Sequence, residues 1–278
     1  METEMTALAR WEARIDACRR SRPESVETVW ERLALWYNRW TAHNDYVIRV
    51  LPRLLGLVGP AARILEIGPG TGAFTLPLAR SAEEVVAIEP SSNMRAALVA
   101  NIEAAGARKI RVIGQRVEDA IEELAGPFDL ALASHSLYDV RSVGTLIEHL
   151  LRLASQTVIL MGTGDRREWY QALHCQLKGK EREPSAHFGD FYPMLLEMGI
   201  YADVEILPTS YNYVYDSEDE LLDWWAHHYG VDVDNPILRA TLLERAERRG
   251  QTIGLYDENR TALITIDRRR SLFGRPAS

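Results

Sequence analysis

Three glycines, Gly68, Gly70 and Gly72, follow directly on the short apolar run Ile64, Leu65 and Ile67, and a carboxylate, Glu66, sits inside that run. Glycine at those points lets the backbone turn sharply and lie against a ligand with no Cβ in between. The apolar run reads as a buried strand of a parallel sheet. A helix pattern follows the glycines, so unpaired N–H groups face whatever the loop holds. Pro77 falls in the first turn of that helix, where its missing N–H costs little. This is a nucleotide-type loop. Gly68, Gly70 and Ala73 also satisfy the dinucleotide pattern G-x-G-x-x-G/A, so the loop alone does not exclude NAD. Glu66 argues the other way, because a carboxylate just before the first glycine suits a positively charged ligand better than a pyrophosphate. A second carboxylate, Glu89, ends the next apolar run, Val85 to Ile88, about 20 residues on, where a ribose-binding acid belongs.

With these parts in register, the segment from Ile64 to Met94 resembles the class I S-adenosylmethionine-dependent methyltransferase superfamily. Glu66-Ile67-Gly68-Pro69-Gly70-Thr71-Gly72 reads as its motif I and Glu89-Pro90-Ser91-Ser92-Asn93-Met94 as its motif II. The match extends, more loosely, to about Gly162. The resemblance implies S-adenosylmethionine as cofactor. It implies the backbone of Gly68, Pro69, Gly70 and Gly72 against the methionyl part, Glu66 orienting that part, and Glu89 accepting hydrogen bonds from both ribose hydroxyls. Pro90 and Met94 would border the adenine. Beyond the third strand, where the usual aspartate position holds Arg116, Val117 and Glu118 would meet it, with Asp119 competing for the role. Glu118 and Asp119 read equally as a surface pair at a helix start, where acids complement the dipole. Ser134 and Tyr37 would lie along the cofactor, Tyr37 resembling the tyrosine that many small-molecule relatives place there.

Thr75-Leu76-Pro77-Leu78 also resembles the ribosomal-RNA adenine dimethyltransferases. Those enzymes and the DNA amino-methyltransferases carry an Asn/Asp-Pro-Pro-Tyr or Asn-Leu-Pro-Tyr type motif after strand four. This chain has Ala133-Ser134-His135-Ser136 there, so the expectation is against that activity. The loop resembles that of small-molecule methyltransferases of the ubiquinone and natural-product kind. His135 and Tyr138 then sit where an acceptor hydroxyl or amine arrives, and a histidine near neutral pKa could take its proton. A histidine that contacts the cofactor or packs under the loop fits the same residues. The expected function is methyl transfer to an O, N or C nucleophile of a small molecule. A same-fold enzyme making a non-methyl transfer, and a non-catalytic cofactor-binding module, are the alternatives. Glu66 and the lack of a recognisable dehydrogenase site disfavour NAD chemistry.

Composition narrows the partners. The chain has 278 residues, 46% hydrophobic and 26% charged, which suits one large domain with embellishments. A formal charge of −8 disfavours non-specific polyanion binding, so no nucleic-acid partner is expected. No apolar run approaches the roughly 18 residues of a membrane span, and the polar start with Glu2 and Glu4 is no secretory signal. Cys18 and Cys175 lie far apart without metal spacing, which points to free thiols and a cytoplasmic location. His227 and His228 are adjacent and make a poor bidentate pair, so no metal is expected. The short basic clusters Arg19-Arg20-Ser21-Arg22 and Arg268-Arg269-Arg270 read as solvated ends. Monomer and homodimer both remain open.

The elements that must position these residues follow from periodicity. Residues 1–60 form a helical N-terminal cap, with Val26, Val29, Trp30, Leu33, Trp36, Tyr37 and Trp40 as an amphipathic stripe, Ser25 as N-cap, and a second helix from about Ala42 to Leu55. Trp36 and Trp40 read as packing residues. Residues 61–278 alternate strand and helix, the mark of a doubly wound, Rossmann-like α/β sheet. The resemblance makes that sheet seven-stranded, with insertions at about 165–188 and at about 217–250, before the last strand. A sixth strand is expected over Ala202–Leu207, an edge strand over Tyr211–Tyr215, a helix over Pro236–Arg249 and a last strand over Thr261–Ile266. The N-terminal helices are expected to close the active site, since displacement on a sulfonium needs a water-poor pocket.

Overall fold

The computed structural model describes residues 5–21, 25–165 and 167–271. The start that was read as no signal, Met1 to Glu4, lies outside them, as do Arg22 and the side chain of Val26. In chain order come α1 (Ala7–Ser21), α2 (Val26–Ala42), α3 (Tyr46–Leu57), β1 (Arg63–Ile67), α4 (Thr75–Ala79), β2 (Glu84–Ile88), α5 (Ser92–Ala104) and β3 (Ile110–Ile113). Then follow α6 (Val117–Ala120), β4 (Phe128–Ser134), α7 (Val143–Leu153), β5 (Ala154–Gly162), α8 (Glu168–Lys178) and α9 (Phe188–Glu197). The chain continues through β6 (Asp203–Tyr215), α10 (Glu218–Tyr229), α11 (Pro236–Arg245), β7 (Glu247–Arg249) and β8 (Thr252–Asp267). Among the described residues no helix is long and apolar enough to cross a membrane.

The strands form one sheet in the order β3-β2-β1-β4-β5-β8-β6, with β7 added on β8. The first five are parallel; β8 runs antiparallel to β5, and β6, antiparallel to β8, returns to the direction of the first five. The order reverses between β1 and β4, so the carboxyl ends of the parallel strands open a crevice there, where doubly wound sheets bind ligands. Strands buried on both faces need an apolar run; β2 and β4 have a continuous one, and that of β1 is interrupted by the buried Glu66. One face carries the core of α1, α7 and α9. Val143, Leu146, Ile147, Leu150 and Leu151 form the buried stripe of α7, and Trp11 is fully buried with its Nε1–H donating to Val140 O at 2.9 Å. The other face is covered by α3 and α4, with Tyr46, Val50 and Leu54 one turn apart along α3.

The α/β class and the strand-helix alternation follow the sequence expectation; the C-terminal third differs in detail. The expected sixth strand and edge strand are one continuous β6 that passes through Pro208. Proline is tolerated because β6 lies at the sheet edge, where a missing N–H breaks no ladder bond on the open side. The last strand begins nine residues earlier than expected, at Thr252 rather than Thr261. The helix expected over Pro236–Arg249 stops at Arg245, because Glu247–Arg249 turn back through Gly250, at φ +64°, to pair with Thr252–Gly254. The extended β6 and β8 carry a third, aromatic core shared by α8, α10 and α11, with Tyr213, Tyr215, Trp225 and Tyr229 buried in it. Its length is what lets it reach α2, where Trp36 stacks on Tyr213 with centroids 5.5 Å apart.

The break between α2 and α3 falls at 43–45 rather than before Ala42, and polar side chains bolt it to β6. Asn44 is buried; its Nδ2 donates to Trp40 O at 2.7 Å and Asn212 O at 3.1 Å, and its Oδ1 accepts from Asn212 N at 2.7 Å. Asp45 Oδ1 accepts from Ser210 N at 2.7 Å, and Ser210 Oγ accepts from Asp45 N at 2.9 Å. Asn44→Ala strips partners from buried backbone groups and is expected to cost about 2 kcal/mol in urea unfolding. Arg53→Ala, which removes only exposed contacts, the pair with Glu205 and a bond to Arg49 O, should cost under about 1 kcal/mol. Equal losses for the two variants would contradict the role given to Asn44.

Candidate functional site

The three glycines all have positive φ, +65° at Gly68, +57° at Gly70 and +97° at Gly72, which side chains with a Cβ rarely adopt. All three also sit under close neighbours, a Cβ at Gly72 lying 2.7 Å from Leu98 Cδ1. A Cβ at Gly68 would lie 2.4 Å from Ser136 Cβ, and one at Gly70 would lie 3.3 Å from Tyr37 Cε1. The loop is therefore pressed between the segment after β4, below, and the ring of Tyr37 on α2. Ser136 Oγ donates to Ile67 O at 2.7 Å and Gly68 N donates to Ile88 O at 2.9 Å, so β1 is tied to both neighbours where the loop begins. Pro69 is buried and its carbonyl accepts from Gly72 N at 3.0 Å. The helix after the loop, α4, is only five residues long.

Two carboxylates flank this loop from inside. Glu66 is buried and its Oε2 accepts from Thr75 Oγ1 at 2.6 Å. Burial pushes its carboxyl up to about 7; the Thr75 bond works against this and Glu89 with it. Glu89 is also buried; its Oε2 accepts from Gly70 N and its Oε1 from Ser91 N, both at 3.0 Å. Burial likewise pushes Glu89 up to about 7 against those two backbone bonds. Neither carboxylate has a cation against it in a hydrogen bond or ion pair among the described residues. Arg95, the nearest base to Glu89, donates instead to Glu89 O at 3.0 Å and Pro90 O at 3.2 Å.

A third group stands at the ends of β4 and β5. His135 has φ +53°, its N–H donates to Leu160 O at 2.9 Å, and its Nδ1 lies 2.7 Å from Tyr138 Oη. Tyr138 Oη in turn accepts from Gly162 N at 2.8 Å. Burial lowers the His135 imidazole to about 4 and raises the Tyr138 phenol. A neutral imidazole with Tyr138 O–H donating to Nδ1 carries its proton on Nε2. Tyr46 closes this corner, its ring 5.8 Å from His135 and 5.6 Å from Phe74, both edge-on.

Glu66, Gly68, Pro69, Gly70, Gly72, Glu89 and Tyr37 thus meet around one loop, and Ser134, His135 and Tyr138 stand on the adjoining segment. Met94 is buried under α5 and Pro90 is exposed at its start. Glu118 lies farther along the edge, at the start of α6 after β3, paired with Arg116 at 3.3 Å, and Val117 beside it is buried. Sequence reasoning missed Thr75, Ser136 and Glu31. Glu31 on α2 sends both carboxylate oxygens to the start of α5, accepting from Ser92 N at 2.6 Å and Asn93 N at 2.7 Å. Its burial opposes and these bonds produce a lowered carboxyl. An acid placed on a helix N-terminus was a readable signal for an acid within α5, but not for one arriving from another helix.

The family whose model matches this chain is described as a methyltransferase domain, over residues 37–233. Among curated proteins, the ribosomal RNA small subunit methyltransferase A of Magnetococcus marinus is 36% identical over 112 residues, 37% of each chain. That of Streptomyces griseus is 35% identical over 100 residues, 35% of this chain and 34% of its own. The matched part thus spans little more than a third of those relatives' length. Among solved structures, a candidate methyltransferase of Bacillus halodurans superposes with a TM-score of 0.54 at 12% identity, over 81% of this chain and 99% of its own. The YcgJ protein of Bacillus subtilis follows at 0.50 and 14%, over 79% and 97%. These likenesses bear out the Rossmann-like methyltransferase fold. The two curated relatives correct one expectation, that of a small-molecule acceptor with no nucleic-acid partner, since both are named for ribosomal RNA. The physical error is plain: net charge is a sum over the whole chain and bears on non-specific attraction, and a missing Asn-Pro-Pro-Tyr type motif excludes one way of holding a base, not the base itself.

Gly68→Ala meets both obstacles at once, a left-handed φ and the Ser136 side chain. It should lower stability by about 2–4 kcal/mol in chemical denaturation. Gly68→Ala with Ser136→Gly should recover part of the loss, and no recovery would remove Ser136 as the contact that matters.

Proposed function

The chain belongs to the methyltransferase domain family, and from that premise we propose that it moves the methyl group of S-adenosylmethionine onto a nucleophile held at the carboxyl ends of β4 and β5. S-adenosylmethionine is the cofactor, and the observation that carries its placement is the pair of buried carboxylates, Glu66 and Glu89, on either side of a glycine loop with left-handed backbone. A ligand that brings positive charge and hydroxyl donors supplies what those two acids lack. When bound, the cofactor supplies a methyl carbon made electrophilic by its sulfonium. Glu89 accepts from the ribose hydroxyls and Glu66 turns toward the methionyl ammonium. The bare backbone of Gly68 to Gly72 lets the cofactor approach, with Pro69 and Tyr37 as its walls. Pro90 and Met94 border the adenine, and Val117 and Glu118 meet it beyond β3. Ser134 extends the same edge toward the acceptor.

The reaction is a displacement, so the chain's work is to hold the reacting atoms in line and keep water out. His135 and Tyr138 face the acceptor. With its imidazole near 4, His135 is neutral at physiological pH and directs the acceptor through Nε2–H rather than storing a proton beforehand. The cap of α2, carrying Tyr37 and Trp40, and the aromatic module on β6 close the crevice from above. Residues 1–60 act as that cap, and the segments at about 165–188 and 217–250 as insertions in the methyltransferase domain. Ribosomal RNA, for which the two curated relatives are named, is the first acceptor class to test. Cys18 and Cys175, which form no disulfide among the described residues, suit the reducing cytoplasm.

Cofactor binding should be linked to pH with a definite sign. Both carboxyls stand at about 7 in the fold, above their ordinary 4.5. Their protonated forms contribute stability that is complete below 4.5 and lost as pH rises through about 7. Ribose and ammonium contacts require the ionised forms, so affinity for S-adenosylhomocysteine should rise about tenfold per linked proton and pH unit up to about 7 and then level off. Calorimetry in buffers of different ionisation enthalpy should show proton release below about pH 7. Binding with no pH dependence and no proton release would remove both acids from the cofactor site.

Methyl transfer itself is tested with tritiated cofactor and deproteinised ribosomal RNA. Incorporation that Glu89→Ala abolishes would place RNA among the acceptors. Background counts, with S-adenosylhomocysteine binding intact, would remove RNA and leave the cofactor assignment standing.

A further inference from the structure

A line of aromatic rings runs from the glycine loop to a guanidinium. Tyr37 lies over Gly70; Trp40 stacks on Tyr37 with centroids 5.5 Å apart; Tyr211 on β6 meets Trp40 edge-on at 5.3 Å. Arg167 then lies 4.2 Å above the Tyr211 ring and 5.0 Å above that of Tyr170. Arg167 is five residues beyond Gly162, the last residue of β5 and the partner of Tyr138, so it stands on the same carboxyl edge as the site. We propose that Arg167 is the oxyanion-binding element of the acceptor site, so that the methyl acceptor combines a flat ring with a carboxylate or a phosphate. This rests on the methyl-transfer reading above.

Among the described residues the charge of Arg167 is met by a single long ion pair, with an acid that is shared. Its side chain is 22% exposed, and its nearest acid is Asp257, with Oδ2 3.9 Å from Nη1. That carboxylate is already engaged by Arg245 at 2.9 Å and by Trp169 Nε1–H at 3.0 and 3.2 Å. Nη1 is buried and has no hydrogen-bond partner among the described residues. The rings of Tyr211 and Tyr170 stabilise the charge but accept none of its in-plane N–H bonds. A guanidinium cannot shed its proton to escape this, and its planar fork matches a carboxylate or phosphate with two parallel bonds. The ring line beside it offers a flat molecule a surface on which to lie while its anionic group reaches Arg167.

The test follows tryptophan fluorescence of the full chain, held with S-adenosylhomocysteine, during titration with phenyl phosphate and benzoate and with their uncharged counterparts, phenol and benzamide. Both anions should bind at least about tenfold more tightly than the neutral rings, and Arg167→Met should abolish the difference. Arg167→Lys should restore only part of it, because a lysine offers charge without the fork. Asp257→Asn removes the acid paired with Arg167 and should tighten binding of phenyl phosphate. Equal binding of charged and neutral rings, or an Arg167→Met protein that still discriminates, would overturn the proposal. If Arg167→Met does not fold, unchanged or weaker binding in Asp257→Asn would overturn it instead. A short single-stranded oligoribonucleotide identifies the source: displacement of phenyl phosphate assigns the anion to a nucleic-acid backbone, and retention assigns it to a free acid. Calorimetry with S-adenosylhomocysteine on each variant keeps the two readings apart, since its loss would strike the cofactor reading and leave the anion site untouched.

Discussion

Two carboxylates buried at the ends of adjacent parallel strands set the conditions for everything around them. Glu66 ends up inside because β1 is covered on both faces, and Glu89 because the glycine loop folds back over the end of β2. Burying acids this way is unfavourable unless hydrogen bonds or a cation answer them. Thr75, Gly70 and Ser91 answer them in part, and burial still holds both carboxyls up near neutrality. The fold therefore maintains an incompletely satisfied acidic pair under a backbone with no side chains in the way. That is a state a cationic, hydroxyl-bearing ligand relieves, and the left-handed backbone under Ser136, Tyr37 and Leu98 leaves no room for a Cβ at the three glycines.

The helices α2 and α3 are fastened to the rest of the fold by polar interlocks rather than by apolar area alone. Glu31 closes the start of α5, Asn101 Nδ2 donates to Asn38 Oδ1 on α2 at 3.2 Å and to Thr71 O behind the glycine loop at 2.8 Å, and the Asn44–Asp45 corner grips β6. These contacts sit on both sides of Tyr37. A ring laid over Gly70 is thus located from α5 and from β6 at once, and its position depends on two elements distant in sequence. Directional bonds of this kind fix orientation where a sliding apolar contact would tolerate several.

Charge is distributed differently from what the total implies. The formal charge of −8 belongs to the whole surface, while the far end of the aromatic wall gathers Arg167, Arg182 and Arg245 near Tyr170, Trp169 and the acid Asp257. His174 on α8 is lowered by its partial burial and by Arg182, Lys178 and Lys180, which marks the same local positive field. A partner reads that local field at contact distance, where net charge is a poor guide.

How much of this was legible beforehand can be told residue by residue. The glycine spacing, the acid ahead of it and the acid at the end of the next strand were plain in the sequence. Each reflects a local requirement, a left-handed φ or a strand end, that one residue type meets. The parallel order of the first five strands followed from apolar runs alternating with amphipathic ones. Four things were decided only by tertiary structure. Pro208 looked like a strand break, yet at a sheet edge it broke nothing. Glu247–Arg249 looked helical, yet a hairpin partner claimed their backbone. His135 looked like a group near its usual pKa, until burial beside Tyr138 and Tyr46 took its charge away. Ser136, Thr75 and Arg167 carried no pattern at all, because their meaning lies in what the fold sets against them: Gly68, Glu66 and a tyrosine from a strand over forty residues away. Local sequence determines what a backbone can do, and only the assembled chain determines which groups are left without water or a partner.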